Sequence, residues 1–230
     1  MKTSIKREGV EKTGELYGGE QEKEPLSAVE PLKLPQELSG VLYLAPVEEG
    51  WVVTPKGGQV VYFGKTGSEE LLALLRDAKA EKRGFDTKEL YRLTLHEGGA
   101  AAQNITFDGK LAAYLLNPNG AGYTVDRLGP EYGVSPTFRC EAYPDAPLLE
   151  PPFDLLSKDC EELGMLKLLT EIEQPLAEVL ASMELDGVLL DAEGVRAFGV
   201  ELQKEMEGQL AAIYAEVGYE FNVNSPKQLG

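Results

Sequence analysis

VLYLAPVEEGWVVTPKGGQVVYF, Val41 to Phe63, holds three short runs rich in β-branched and aromatic residues. They are VLYLA (Val41–Ala45), WVVT (Trp51–Thr54) and VVYF (Val60–Phe63), separated by PVEEG and PKGGQ. Side chains of this kind suit a pleated surface, and Gly/Pro-rich breaks favour tight returns, so an antiparallel meander of three strands is predicted. Ser68 then caps a helix, with Glu69 and Glu70 in its first turn and Leu71, Leu72, Leu74 and Leu75 on its apolar side. Further short helices are predicted at 87–95, 109–116 and 124–132. Residues 133–152 contain five prolines and read as loop. Strands followed by helices predict an α/β domain from about residue 38 to 150.

Upstream, residues 1–37 are polar, charged and punctuated by Pro25, Pro31 and Pro35. Such a composition buries little apolar surface and reads as a linker or tail. The whole chain of 230 residues has a formal net charge of −17. Residues 151–230 carry 5 basic against 16 acidic groups. That balance argues against stand-alone affinity for nucleic acid or an anionic membrane. Cys140 and Cys160 are too few for a disulfide framework and fit a reduced, cytoplasmic setting. No apolar run approaches the roughly 20 residues of a membrane span, and no apolar stretch follows Lys2, Lys6 and Arg7 as a secretory signal requires. A monomer without membrane contact is expected.

Three short patterns mislead. GKT, Gly64–Thr66, fits the end of a phosphate-binding loop, but that loop needs a glycine where Gln59 stands, so a strand-to-helix turn is expected. NIT, Asn104–Thr106, fits a glycosylation acceptor by chance. His96, the only histidine, has no cysteine or histidine partner nearby and reads as a surface or helix-end residue.

The last third is helical. Met165, Leu168, Leu169, Ile172, Leu176, Val179, Leu180 and Met183 recur at spacings of three and four. Pro175 is expected to kink this helix or to sit near a helix start. GVLLD, Gly187–Asp191, is a short strand-like break, and Asp191 can cap a second helix with Val195, Phe198, Leu202, Met206, Leu210, Ile213 and Val217 on one face. Both stripes are expected to pack into a core. The chain ends on FNVNSPKQLG, Phe221–Gly230. Ser225 is a good N-cap, Pro226 suits the first helical position, and Gln228 completes a capping box. A helix opens there with no body behind it, which is expected of a piece of something longer.

EIEQPLAEVLASMELDGVLLD (Glu171–Asp191) and YEFNVNSPKQLG (Tyr219–Gly230), with a helix of the right length between them, resemble the start of the polymerase region of bacterial DNA polymerase I, the family A DNA polymerases. FDGKLAAYLLNP (Phe107–Pro118) is similar to a segment of that family's 3′–5′ exonuclease domain, and GFDTKEL (Gly84–Leu90) to its second motif. The resemblance implies a ribonuclease-H-like α/β domain over 38–163, followed by a long helical hairpin at the base of the thumb over 164–230, truncated within the thumb. It implies a parent that polymerises DNA with Mg2+ on a primer-template, with the polymerase carboxylates outside this chain. Asn222, Asn224, Ser225 and Lys227 match positions that touch the DNA backbone. Ser225 as a simple cap and Asn224 as a simple turn residue explain the same pattern equally well.

Active exonucleases of this type hold two metal ions with about four carboxylates, the first two as Asp-x-Glu on the first strand. Val41–Ala45 carry none, and Glu48 and Glu49 fall in the following turn. Asp86 is the candidate remnant of the second motif, alternatively a helix-start residue, and Asp108 reads as an N-cap. The third motif should bring a Tyr and an Asp on a helix, but Tyr143 and Asp145 stand among prolines. A catalytically degenerate, structural domain is therefore expected, with no metal or other cofactor in this chain and weak DNA binding by the chain alone. Its rivals are an active exonuclease with unorthodox ligands, which the missing Asp-x-Glu disfavours, and an acidic protein-interaction module, which NSPKQLG disfavours.

Overall fold

The computed structural model describes residues 26–96, 99–120 and 122–229. The expected tail at 1–25 lies outside them. The first element is the two-residue strand β1 (Leu32–Lys33), followed by β2 (Val41–Val47), β3 (Gly50–Pro55) and β4 (Tyr62–Lys65). Helix α1 (Glu69–Arg76), β5 (Glu81–Gly84), α2 (Thr87–His96), β6 (Ile105–Asp108) and α3 (Gly109–Leu116) alternate after them. The six strands form one sheet in the order β1-β4-β3-β2-β5-β6. The β2–β3 and β3–β4 pairs are antiparallel, and β1–β4, β2–β5 and β5–β6 are parallel.

The expected meander is present, with β4 two residues later than VVYF. Gly50 pairs with Lys65 and Trp51 with Gly64. The strands approach so closely there that a Cβ on Gly50 would stand 2.2 Å from the Gly64 carbonyl oxygen. Gly64 and Lys65 of GKT close β4, and Thr66 opens the turn into α1. The Ser68 hydroxyl accepts from Leu71 N–H, and Leu71, Leu74 and Leu75 are buried. His96 closes α2 as an exposed residue.

Alternation along β2 builds two cores. Leu42 and Leu44 pack with Trp51, Val53, Leu71, Leu75 and Leu90, under α1 and α2. Tyr43 and Ala45 pack on the opposite face with Val52, Phe107, Ala112, Phe153 and Leu156. That second face is covered by α3, α4 (Val125–Glu131) and α5 (Glu150–Glu162). Free Cys140 and Cys160 are buried in it, and burial pushes the Cys160 thiol up to about 11.

Two expectations are corrected here. The stretch 26–37 is not tail: Leu32 N–H donates to the Val61 carbonyl, Leu34 N–H to the Phe63 carbonyl, and Leu34 is buried. An otherwise open edge at β4 gives a short apolar segment both backbone partners and a core to enter. Likewise, the proline-rich loop ends at α5, three residues short of its expected end. Pro151 and Pro152 stand in the first turn of α5, where no amide is needed. Phe153, Leu156 and Cys160 then give it a buried face.

The helical third begins with the short α6 (Leu166–Leu168), a π turn over Leu169–Glu173 and α7 (Gln174–Asp186). Pro175 cannot donate to the Glu171 carbonyl, and the backbone widens at that place. Asp191 caps α8 (Ala192–Val217), accepting from Gly194 N–H, and Gly218 ends it at φ 85°. The chain divides into two compact units between Leu185 and Asp186, so α7 belongs with the sheet. The two stripes do not pack as expected. Leu169 enters the core, but α7 buries Gln174, Ala177 and Ala181. Ile172, Leu176, Val179, Leu180 and Met183 are exposed, as are Val195, Phe198, Leu202, Met206, Ile213 and Val217 on α8. The buried side of α7 is the one that carries the small alanines, and the larger side chains lie on its exposed side. Helical periodicity marks an apolar face without naming what covers it.

Candidate functional site

In a sheet of this topology the positions that could hold metal ligands converge at the C-terminal ends of β2, β5 and β6. On β2 those positions, two apart and on one face, are Ala45 and Val47, both part of the core under α5. Glu48 and Glu49 form the β2–β3 turn, as expected. The first strand therefore offers no carboxylate.

On the neighbouring strand β5, Gly84 pairs with Leu44, and Phe85 N–H donates to the Leu44 carbonyl. Asp86 follows with φ 66°, a left-handed conformation that aspartate tolerates better than most residues. It stands directly before α2, the helix-start position that was its alternative reading. Its Oδ2 accepts from Lys110 Nζ at 2.5 Å.

Asp108, at the end of β6, is 1% exposed. Its Oδ1 accepts from the N–H groups of Lys110 (2.8 Å) and Leu111 (3.0 Å), which caps α3 as the sequence predicts. Its Oδ2 accepts from both Thr87 N–H and Thr87 Oγ1 at 2.7 Å. One carboxylate thus serves the starts of both α2 and α3. Burial raises its pKa above the usual carboxylate range, and its hydrogen bonds to Thr87 and Leu111 oppose that shift.

The other motif residues do not join this place. Tyr143 stacks on Phe63, with ring centroids 5.7 Å apart. Asp145 precedes a single 3-10 turn, Ala146–Leu148. Sequence reasoning missed Lys110 as the partner of Asp86 and missed a polar cluster under α5. There Asp154 accepts from the Tyr43 hydroxyl (3.1 Å), Arg83 Nη1 (2.9 Å) and Lys56 Nζ (3.2 Å). The available signal was the Pro-Pro start of α5, which places Asp154 one turn in.

Asn222, Asn224, Ser225 and Lys227 lie together in the second unit, after α8 and at the start of the short α9 (Pro226–Leu229). Asn224 N–H donates to Asn222 Oδ1, and Ser225 N–H to the Asn222 carbonyl. Gln228 Oε1 accepts from Asn222 N–H rather than closing the expected box on Ser225. Asn222, Asn224 and Lys227 are exposed.

Among the described residues no group of three His, Cys, Asp or Glu side chains is placed to hold a metal ion. Two divalent ions need several oxygen ligands each. Asp86 is paired with an ammonium and Asp108 with four donors, so the residues present do not fit a two-metal nuclease centre. Among the described residues no helix is long and apolar enough to cross a membrane.

Residues 51–137 match the ribonuclease H-like domain of DNA polymerase I. DNA polymerase I of Geobacillus stearothermophilus is 34% identical over 185 residues, covering 70% of this chain and 20% of that protein. The thermostable DNA polymerase I of Thermus filiformis is 39% identical over 164 residues, covering 71% and 18%. Among solved structures, the POL domain of Pol1 from M. smegmatis, in complex with DNA primer-template and dNTP, superposes with a TM-score of 0.65 at 22% identity, over 87% of this chain and 40% of that one. Brucella melitensis NrnC bound to pGG gives 0.52 at 15%, over 70% and 95%. At such identities these two structures speak for the fold. The chain spans about a fifth of the length of the curated relatives it matches. The matched domain, the relatives and the six-stranded sheet make the chain a member of the bacterial DNA polymerase I family, over a stretch that includes its ribonuclease-H-like, exonuclease-type domain.

Proposed function

We propose that this chain serves a DNA polymerase of replication and repair as a non-catalytic, exonuclease-like scaffold joined to the first helices of the polymerase region. The observation that carries this reading is the donor set at the sheet end: Ala45 and Val47 on β2, Asp86 paired with Lys110, and Asp108 with both oxygens engaged. Metal-assisted phosphodiester hydrolysis needs ions that activate water and stabilise the leaving oxygen. These residues bind, cap and neutralise one another instead. Mg2+ enters with the polymerase site of the parent protein. Asn222, Asn224, Ser225 and Lys227 offer amide, hydroxyl and ammonium groups suited to phosphate and sugar oxygens of a primer-template. Their affinity is weak in isolation, given the acidic surroundings. A cytoplasmic location accords with a DNA substrate and two reduced, buried cysteines.

The test is nucleotide release from single-stranded DNA in magnesium or manganese. No release is expected. Release that disappears in Asp86→Ala would establish the rival, an active nuclease with unorthodox ligands.

A further inference from the structure

The same residues that fail to make a metal centre make something else. Asp86, two residues past the end of β5, and Asp108, at the end of the adjacent parallel β6, are joined by Thr87, which follows Asp86 and donates to Asp108 Oδ2 at 2.7 Å. Burial chiefly, and the charge of Asp86 in addition, disfavour ionisation of Asp108. Asp108 is buried, and Asp86 is half-buried. Two carboxylates so placed call for a positive charge, from a proton, a divalent ion or a side chain. Lys110 supplies it with its ammonium, and its uncharged backbone N–H adds a hydrogen bond to the second carboxylate. Its backbone N–H donates to Asp108 Oδ1 at 2.8 Å, and its ammonium reaches Asp86 Oδ2 at 2.5 Å.

The local chain explains how Lys110 comes to do this. Asp108 caps α3, and the next residue must be small, because a Cβ on Gly109 would stand 2.6 Å from the Phe153 ring. Lys110 is the first position of α3 free to carry a long side chain. Lys88, the other cation near Asp86, is engaged by Glu184 at 2.6 Å. Thr87, which also touches Asp108, is uncharged.

We propose that the Lys110 ammonium is a built-in counter-ion that takes the place of a divalent cation at the Asp86–Asp108 carboxylate pair and makes the fold independent of metal. This rests on the reading of the domain as non-catalytic and adds a reason for it: the one half-free carboxylate is already neutralised from within the chain.

The test is thermal unfolding of the full chain at fixed ionic strength, with EDTA, magnesium or manganese, for the wild type, Lys110→Met, Lys110→Arg and the double variant Asp86→Asn/Lys110→Met. The wild-type and Lys110→Arg melting points should ignore all three additions. Lys110→Met should melt roughly 2–4 °C lower, as about 1 kcal/mol implies for a chain of this size. Millimolar manganese should restore at least half of that loss, and the double variant should show no such response. A second measurement, manganese binding to the wild type by electron paramagnetic resonance, does not depend on any variant folding. Asp86-dependent binding there would overturn the proposal, as would a Lys110→Met chain that ignores manganese. Manganese binding without nucleotide release would sink the counter-ion alone. Nucleotide release abolished by Asp86→Ala would sink the non-catalytic reading itself.

Discussion

Asp108 and Thr87 form a buried polar junction at the sheet end: one carboxylate oxygen accepts from both the backbone N–H and the hydroxyl of Thr87, each at 2.7 Å. The other oxygen caps α3. Asp108→Ala therefore removes two helix-start partners at once and leaves the Thr87 hydroxyl and three amides to seek others. A loss of roughly 2–4 kcal/mol is expected, from about 1 kcal/mol per cap plus the cost of orphaned donors. Urea unfolding measures it. A loss below about 0.5 kcal/mol, the scale of a neutral surface change, would show that the junction contributes little.

Lys82 is fully buried, and its ammonium donates to the carbonyls of Asp77 (2.6 Å), Ala80 (2.8 Å) and Gln103 (2.7 Å). Burial pushes its pKa down to about 8, against the pull of the Asp77 charge. In the unfolded chain lysine holds its proton to about pH 10.4. Between these values the unfolded state binds more protons, so this residue's contribution makes stability rise with pH. Cys160, held up at about 11, acts in the opposite sense above the ordinary thiol value, so the comparison must be a difference. Lys82→Met, which keeps the Cys160 effect, should lose the rising component and should be destabilised at every pH by its three orphaned carbonyls. Identical pH slopes for the two chains from about pH 8 to 10 would show that Lys82 does not titrate in this window.

α7 is held to the sheet unit by its small face, Ala177 and Ala181, and by the Lys88–Glu184 pair at 2.6 Å. Both pair members are part-exposed, so each single charge reversal should cost no more than about 1 kcal/mol, and Lys88→Glu with Glu184→Lys should recover it. Ala181→Leu overpacks a fully buried site and should cost about 1–3 kcal/mol. Hydrogen exchange along Gln174–Asp186 reads both. Unchanged protection in Ala181→Leu would mean that α7 does not lean on the sheet unit.

Binding of primer-template DNA should be weak, because nonspecific affinity comes mainly from basic groups that displace counterions, and residues 151–230 hold 5 basic against 16 acidic residues. A low-salt titration should give a dissociation constant of roughly 10⁻⁴ M or weaker, and Lys227→Ala should reduce even that. Sub-micromolar binding that survives moderate salt would reveal a basic surface not evident from the distribution of charges.

The meander, the helices at α1–α4 and the Asp191 cap were legible because each is encoded locally, by alternation, by periodicity or by a capping side chain within three residues. The lack of a carboxylate in Val41–Ala45 is likewise visible in the sequence itself. What was not legible depends on distant contacts. Leu34 reads as tail until β4 offers it an edge. Pro151 and Pro152 read as breakers until Phe153, Leu156 and Cys160 find the sheet. The stripe on α7 reads as core until Ala177 and Ala181 take the buried side. Lys110 reads as a surface lysine because its partner Asp86 is 24 positions away, on another strand-to-helix turn.

The most direct measurement is a time course of mononucleotide release from a 3′-labelled single strand, in magnesium and in manganese, for the wild type beside Asp86→Ala and a protein-free blank. With Ala45 and Val47 in place of ligands and Asp86 closed by Lys110, all three traces should coincide in both metals. A wild-type trace that rises above the blank, and falls back to it in Asp86→Ala, would contradict the assignment of a non-catalytic domain.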